Sequence, residues 1–250
     1  MSDQKKSVCL DPGHDAGNLA NKSPDGSYYE HEFTLDLARR MEGMLTARGV
    51  AVTMTRTGGE AVSLARRCEI ANSIPGLNLF VSIHSNAAGG SGWSDAAGWS
   101  VYLYGPGGDR ETAAQDLLEQ VRAAGIALRP SPIVYDPELY VLKHTKAPAV
   151  LVENGFHTNR EEAALLGQPA YRQKLAEAEV KGILQYLDIP WTDLAGETDY
   201  QREAAAAVAW MKENGIMRGN GEGDLMLDQP LTRRQFAVME YRLAKLEGFV

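Results

Sequence analysis

Leu79-Phe80-Val81-Ser82-Ile83-His84-Ser85-Asn86-Ala87 is a short apolar run that stops at a histidine. This is the form of a buried strand delivering one polar side chain to a rim. Buried strands of α/β sheets read as near-continuous Val/Ile/Leu/Phe runs, and ligand sites lie beyond their carboxyl ends. Two other stretches share the form. Val8-Cys9-Leu10-Asp11-Pro12-Gly13-His14 runs into a turn ending in His, and Ala149-Val150-Leu151-Val152-Glu153-Asn154-Gly155 runs into a Glu beside a turn. If the three strands are neighbours, His14, His84 and Glu153 converge.

Around these strands the chain alternates apolar runs with helical periodicity. Phe33, Leu37, Met41, Met44 and Leu45 recur at helical spacing, which predicts an amphipathic helix from about Glu30 to Arg48 with Glu30 in its first turn. Val50 to Thr55 reads as a strand and Val62 to Ser73 as a helix, giving β-α-β-α-β up to His84. Further on, Trp99 to Tyr104 reads as a strand, with Asp109 a candidate cap for a helix from Arg110 to Ala124. Leu128 to Leu142 is too irregular for a helix, and Pro169 to Leu187 is a further amphipathic helix. The fold class that follows is α/β, a twisted, mostly parallel sheet flanked by helices, plus a small helical C-terminal unit.

With 250 residues, 44% of them hydrophobic, the chain can hold one sizeable domain and an appendage. Net charge is −8 and the basic residues are scattered, which argues against a nucleic-acid partner. No apolar run approaches the roughly 20 residues of a membrane span, and no apolar signal segment precedes the first strand, so the expectation is synthesis in the cytoplasm without a signal peptide. Cys9 and Cys68 lack metal-type spacing and read as core fillers. Gly105-Pro106-Gly107-Gly108-Asp109 lacks the Gly-Lys-Ser/Thr ending of a phosphate loop and reads as a turn.

Of five histidines, His31, His144 and His157 read as hydrogen-bonded structural residues. His14 and His84 each close an apolar strand pattern, and Glu30 opens the helix that follows the His14 loop. Two imidazoles and a carboxylate with an open fourth position form a catalytic zinc set. That chemistry wants a free carboxylate, and Glu153 on a third strand end could carry the proton from water to a leaving amine. The bland alternative for Glu30, and equally for Glu32, is an acid suited to the helix dipole.

Asp11-Pro12-Gly13-His14, then Glu30, then Ser82-Ile83-His84-Ser85-Asn86-Ala87, then Pro148 to Phe156 with Thr158-Asn159, together resemble the zinc-dependent N-acetylmuramoyl-L-alanine amidases of the amidase-3 family. The likeness covers roughly residues 7 to 188, within a domain spanning 1–190. It implies that His14, Glu30 and His84 bind Zn2+ and that Glu153 is catalytic. It implies peptidoglycan as substrate and the amide between N-acetylmuramic acid and L-alanine as the bond cut. Two departures stand out. The usual Gly-Gly after the first motif is Asp15-Ala16, and Glu32 rivals Glu30, although the family's spacing to Leu35 favours Glu30. The stretch between His84 and Glu153 carries no extra blocking helix, so the site reads as open.

Beyond Pro190 to Thr198 the tail, residues 199–250, resembles a single S-layer-homology repeat in Ala207 to Met211, Asn214 to Gly219 and Leu231 to Phe236. Such repeats usually come in threes and bind secondary cell-wall polysaccharide. With one copy, wall binding, docking on the catalytic domain and homodimerisation stay open. Asn220 to Asp224 lacks the glycine and closing glutamate of an EF-hand. The combined reading is a cell-wall hydrolase of phage endolysin or bacterial autolysin type, acting at the bacterial cell wall. Its rivals are a zinc peptidase cutting the peptidoglycan stem and a non-catalytic wall-binding protein on the same fold.

Overall fold

The structure is a computed structural model describing residues 5–90, 92–192, 208, 211, 214–217 and 233–246. The chain divides into two compact units, Met1–Trp191 and Thr192–Val250. In the first unit the elements are β1 (Ser7–Pro12), α1 (Glu30–Ala47), β2 (Ala51–Met54), α2 (Leu64–Asn72), β3 (Leu79–Asn86), β4 (Trp99–Leu103), α3 (Asp109–Ala123), β5 (Leu128–Tyr135), α4 (Tyr140–His144), β6 (Ala149–Phe156), α5 (Arg160–Leu166) and α6 (Pro169–Tyr186). They build a six-stranded sheet in the order β2-β1-β3-β6-β4-β5.

Four of the five strand pairings are parallel, and β4 runs antiparallel to β6. The reversal follows from the connection. Parallel neighbours need a crossover of a dozen or more residues, usually a helix, and the loop from Ala87 to Gly98 contains none. The chain therefore returns in the opposite direction, and β6 later inserts between β3 and β4 as a parallel partner of β3. As a result β4 and β5 begin at the sheet end where β1, β3 and β6 finish.

The larger core lies on the face covered by α1, α3 and α6, where Phe33, Leu37, Met41 and Leu45 are buried beside Val8, Val81, Val101 and Val152. Each such side chain contributes roughly 1.5–3 kcal/mol on burial. α3 and α6 cross so closely that a Cβ on Gly182 would stand 2.5 Å from the Leu117 Cα. The other face packs Cys9, Phe80 and Leu151 under α2 and α4, and both cysteines are free and buried.

The irregular segment after Leu128 turns out to be edge strand β5 followed by the short α4. Pro130 and Pro132 interrupt the expected alternation but are tolerated at a sheet edge, where an N–H is not needed for a second ladder. Asp109 is not the cap of α3. Gly108 occupies that position, and the Glu111 carboxylate accepts the Gly107 N–H instead. In the second unit, α7 (Arg233–Leu246) agrees with the small helical C-terminal unit expected from the sequence, and Arg242 donates to the Ile216 carbonyl at 2.9 Å. The repeat-like stretches Ala207 to Met211, Asn214 to Gly219 and Leu231 to Phe236 lie partly outside the described residues, and Asn220 to Asp224 lies wholly outside them. No described helix is long and apolar enough to cross a membrane.

Candidate metal centre and active site

His14 sits just past the end of β1 with φ of 59°, a left-handed conformation uncommon for a non-glycine residue. It persists because its neighbourhood over-determines it. The Arg67 guanidinium donates to the His14 carbonyl at 2.7 Å, to the Pro12 carbonyl at 2.6 Å and to the Asp11 carboxylate at 2.6 Å. Asp11 also accepts from Thr55 Oγ1 at 2.5 Å and Ser82 Oγ at 2.7 Å. Arg56, only 1% exposed, donates to the carbonyls of Pro12, Gly13 and His31 at 3.0, 2.9 and 2.8 Å. Gly13 precedes His14, and His31 follows Glu30, so one guanidinium joins the turn bearing the histidine to the helix end bearing the glutamate. Burial is the main force pushing the Arg56 pKa down, to about 10, with the nearby Arg67 charge adding to it.

Gly13 is also required by space. A Cβ there would lie 2.3 to 2.6 Å from ring atoms of His84. The glycine lets the β1 turn close onto the imidazole, and its N–H donates to the Ile83 carbonyl at 2.9 Å. The two imidazoles meet edge to face with centroids 5.0 Å apart.

Glu30 lies between them, buried. One carboxylate oxygen is 3.1 Å from His14 Nε2, and the other is 3.0 Å from His84 Nδ1 and accepts the Ser85 N–H at 3.0 Å. Burial by itself raises a carboxyl's pKa, but the hydrogen bonds from His14 and His84 outweigh it and hold Glu30 below the usual range. Among the described residues, His14, Glu30 and His84 form the group of potential metal ligands, with one atom from each within 4.8 Å of the others. Tetrahedral zinc with N and O ligands at about 2.0–2.2 Å places those atoms about 3.3–3.6 Å apart. The donor set and its spacing therefore fit such an ion after a small adjustment. Glu32 stands elsewhere: its side chain is 66% exposed and its nearest imidazole, His31, is 4.0 Å away.

Glu153 occupies the β6 position directly opposite His84 in the β3–β6 ladder. Its Oε2 is buried without a hydrogen-bond partner among the described residues. Burial pushes its pKa well up, the Glu30 charge adds to this, and the Arg129 cation opposes it. A carboxyl so placed holds a proton more readily than an exposed one, a property suited to general acid–base chemistry. The cleft beside the imidazoles, about 340 Å³, is walled by Val62, Leu64, Leu139, Tyr140 and Val141.

The three remaining histidines lie outside this group. His157 is buried, with Nδ1 3.0 Å from the Ser85 hydroxyl, which accepts from the Tyr28 hydroxyl at 2.7 Å. His144 stacks on Tyr140 at 3.9 Å between centroids. Thr158 and Asn159, part of the last motif, are supports. Thr158 accepts N–H groups of Ala88 and Ser94, and Asn159 caps α5. Glu162 in α5 then accepts from Gly98 and Phe156. Arg56, Arg67, Glu162 and His157 carry no sequence signal that sets them apart from ordinary charged or polar residues.

A His/His/Glu trio at the rim of an α/β sheet, its glutamate buried and its histidines half-buried, with a desolvated carboxyl beside it, defines a candidate metal-centred hydrolase. The chain belongs to the N-acetylmuramoyl-L-alanine amidase family amidase-3, whose profile matches residues 8–185. Membership implies peptidoglycan as the substrate. The chain is 31% identical over 196 residues to the germination-specific N-acetylmuramoyl-L-alanine amidase of Bacillus subtilis, covering 72% of this chain and 79% of that one. Against the endolysin of Bacillus phage SPP1 the identity is 32% over 190 residues, covering 74% and 67%. The catalytic domain of CwlV, an N-acetylmuramoyl-L-alanine amidase from Bacillus (Paenibacillus) polymyxa var. colistinus, superposes with a TM-score of 0.67 at 29% identity, covering 74% of this chain and 99% of that one.

Proposed function

We propose that the chain is a zinc-dependent amidase cutting the bond between the lactyl group of N-acetylmuramic acid and L-alanine. His14, Glu30 and His84 are the metal ligands and Glu153 is the catalytic carboxylate. The observation carrying this reading is the convergence of the three ligands within 4.8 Å beside the register pair His84 and Glu153. Bound there, zinc supplies Lewis acidity for the carbonyl and lowers the pKa of water to about 7. Glu153 accepts the proton of the attacking water and passes it to the leaving nitrogen. Ser85, through its N–H, and Arg56, through Gly13 and His31, hold the ligands in place so that little reorganisation is needed.

Digestion of purified peptidoglycan tests the reading. An amidase releases peptides with a free L-alanine amino terminus and leaves glycan strands intact. Peptides with any other new amino terminus support the rival stem peptidase, and no product supports the non-catalytic rival. In the same reading the Thr192–Val250 unit is an S-layer-homology-like module that engages secondary wall polysaccharide or a second copy. Co-sedimentation of the full chain with purified wall polymer, beside a sizing experiment, separates these two roles.

A further inference from the structure

Because β4 and β5 run opposite to β3 and β6, their first residues stand at the rim where His84 and Glu153 lie. Arg129, second residue of β5, reaches this rim from the sheet edge. Its Nη1 donates to the Tyr102 hydroxyl at 2.9 Å, which also accepts from Asn86 Nδ2 at 3.4 Å. Asn86 lies two residues past His84, so the polar line Asn86–Tyr102–Arg129 crosses β6, the strand of Glu153. The guanidinium carbon is 5.6 Å from the centroid of Phe156, also on β6. Arg129 is half-buried, and among the described residues no carboxylate, Glu153 included, pairs with it within 4.0 Å.

A guanidinium has five N–H donors in a planar fork that suits a carboxylate bidentately. Among the described residues one donor anchors it to Tyr102 and no other side-chain hydrogen bond occupies the fork, which suits it to a visiting carboxylate. The strand order sets the direction of that visitor. Neighbouring strands are about 4.8 Å apart, so the ligand trio, Glu153 and Arg129 follow one another across the sheet. With the scissile carbonyl at the trio and its amine at Glu153, the peptide continues over β4. β5 is two strand spacings from β6, but the Arg129 guanidinium reaches back to Tyr102 on β4, one spacing away; at about 3.3–3.6 Å per residue this sets the first or second residue after the scissile bond beside it.

We infer that Arg129 binds a carboxylate of the substrate's peptide, close to the cut bond on its amine side, and so selects acidic over amidated stems. This inference rests on the amidase reading above. Two synthetic muramoyl peptides test it, identical except that the second residue's side carboxyl is free in one and a carboxamide in the other. A charge-assisted hydrogen bond is worth about 1.5–3 kcal/mol, so the zinc-loaded wild-type protein should show a KM about 10–100-fold lower for the acid.

In Arg129→Gln that preference should collapse to near one, and Arg129→Lys, which keeps the charge but not the fork, should retain part of it. A wild type without preference overturns the inference. So does an Arg129→Gln protein that loses kcat equally on both peptides with the preference intact, because the guanidinium then serves Glu153 and not the substrate. Failure of the zinc-loaded wild type to cut either peptide, or purified wall, is the separate signature of a wrong amidase reading, and it takes this inference with it.

Discussion

Arg67 donates a 2.7 Å hydrogen bond to the carbonyl oxygen of His14, the residue held at φ of 59°. The bond fixes an unfavourable backbone conformation at one proposed metal ligand, and the same guanidinium pairs with the buried Asp11. Outer partners of metal ligands typically matter by 10–100-fold in affinity. Arg67→Lys should therefore weaken zinc binding by about that factor, measured by chelator competition, in a protein that still folds without metal. Weakened thermal stability with unchanged zinc affinity would show that the bond serves the fold alone.

Glu30 and Glu32 make opposite predictions. Glu30→Ala should abolish stoichiometric zinc in metal analysis, whereas Glu32→Ala should keep about one ion per chain, since Glu32 is exposed and far from both His14 and His84. Removing zinc from the wild type should lower its melting temperature. A ligand present at 1,000 times its Kd contributes about 4 kcal/mol to stability. The reverse pattern of zinc loss would reassign the carboxylate ligand.

Glu153→Gln is nearly isosteric and should fold and hold zinc normally. Its turnover of peptidoglycan should fall by about 10²–10⁴-fold, the usual worth of a positioned proton carrier. Activity close to wild type would remove Glu153 from the chemistry.

Glu179 offers a test by pH. It is buried, accepts the Trp99 indole N–H at 3.0 Å, and burial pushes its pKa from 4.5 up to about 7. A raised folded-state pKa means that the folded protein binds this proton more tightly than the unfolded chain. The associated stability is complete below about pH 4.5 and is lost as pH rises through about 7. At roughly 1.4 kcal/mol per unit, the loss is on the order of 3 kcal/mol. Denaturant melts across this window should show Glu179→Gln gaining on the wild type as pH rises. Parallel curves would mean that the carboxyl titrates normally in the fold.

Much of this protein could be read in one dimension. Strands buried on both faces have no polar side to alternate with, so β1, β3 and β6 appear as near-continuous apolar runs, interrupted only by the buried Asp11 and Ser82, ahead of His14, His84 and Glu153. The period of Phe33, Leu37, Met41 and Leu45 likewise announces α1, and with it the position of Glu30. These signals are local, which is why the sequence suffices to nominate His14, Glu30, His84 and Glu153.

Only the tertiary structure decides that β4 turns back against β6, because nothing local distinguishes a strand that runs up from one that runs down. That reversal brings Arg129 to the rim. The buried clamps escape the sequence for another reason. Arg56 and Arg67 bind backbone carbonyls, and every residue supplies a carbonyl, so no side-chain pattern records the pairing. Family spacing already favours Glu30 over Glu32, and the tertiary structure supplies the physical reason: two positions along a helix differ by about 200° in direction, and packing of α1 on the sheet turns one carboxylate toward His14 and His84 and leaves the other in solvent.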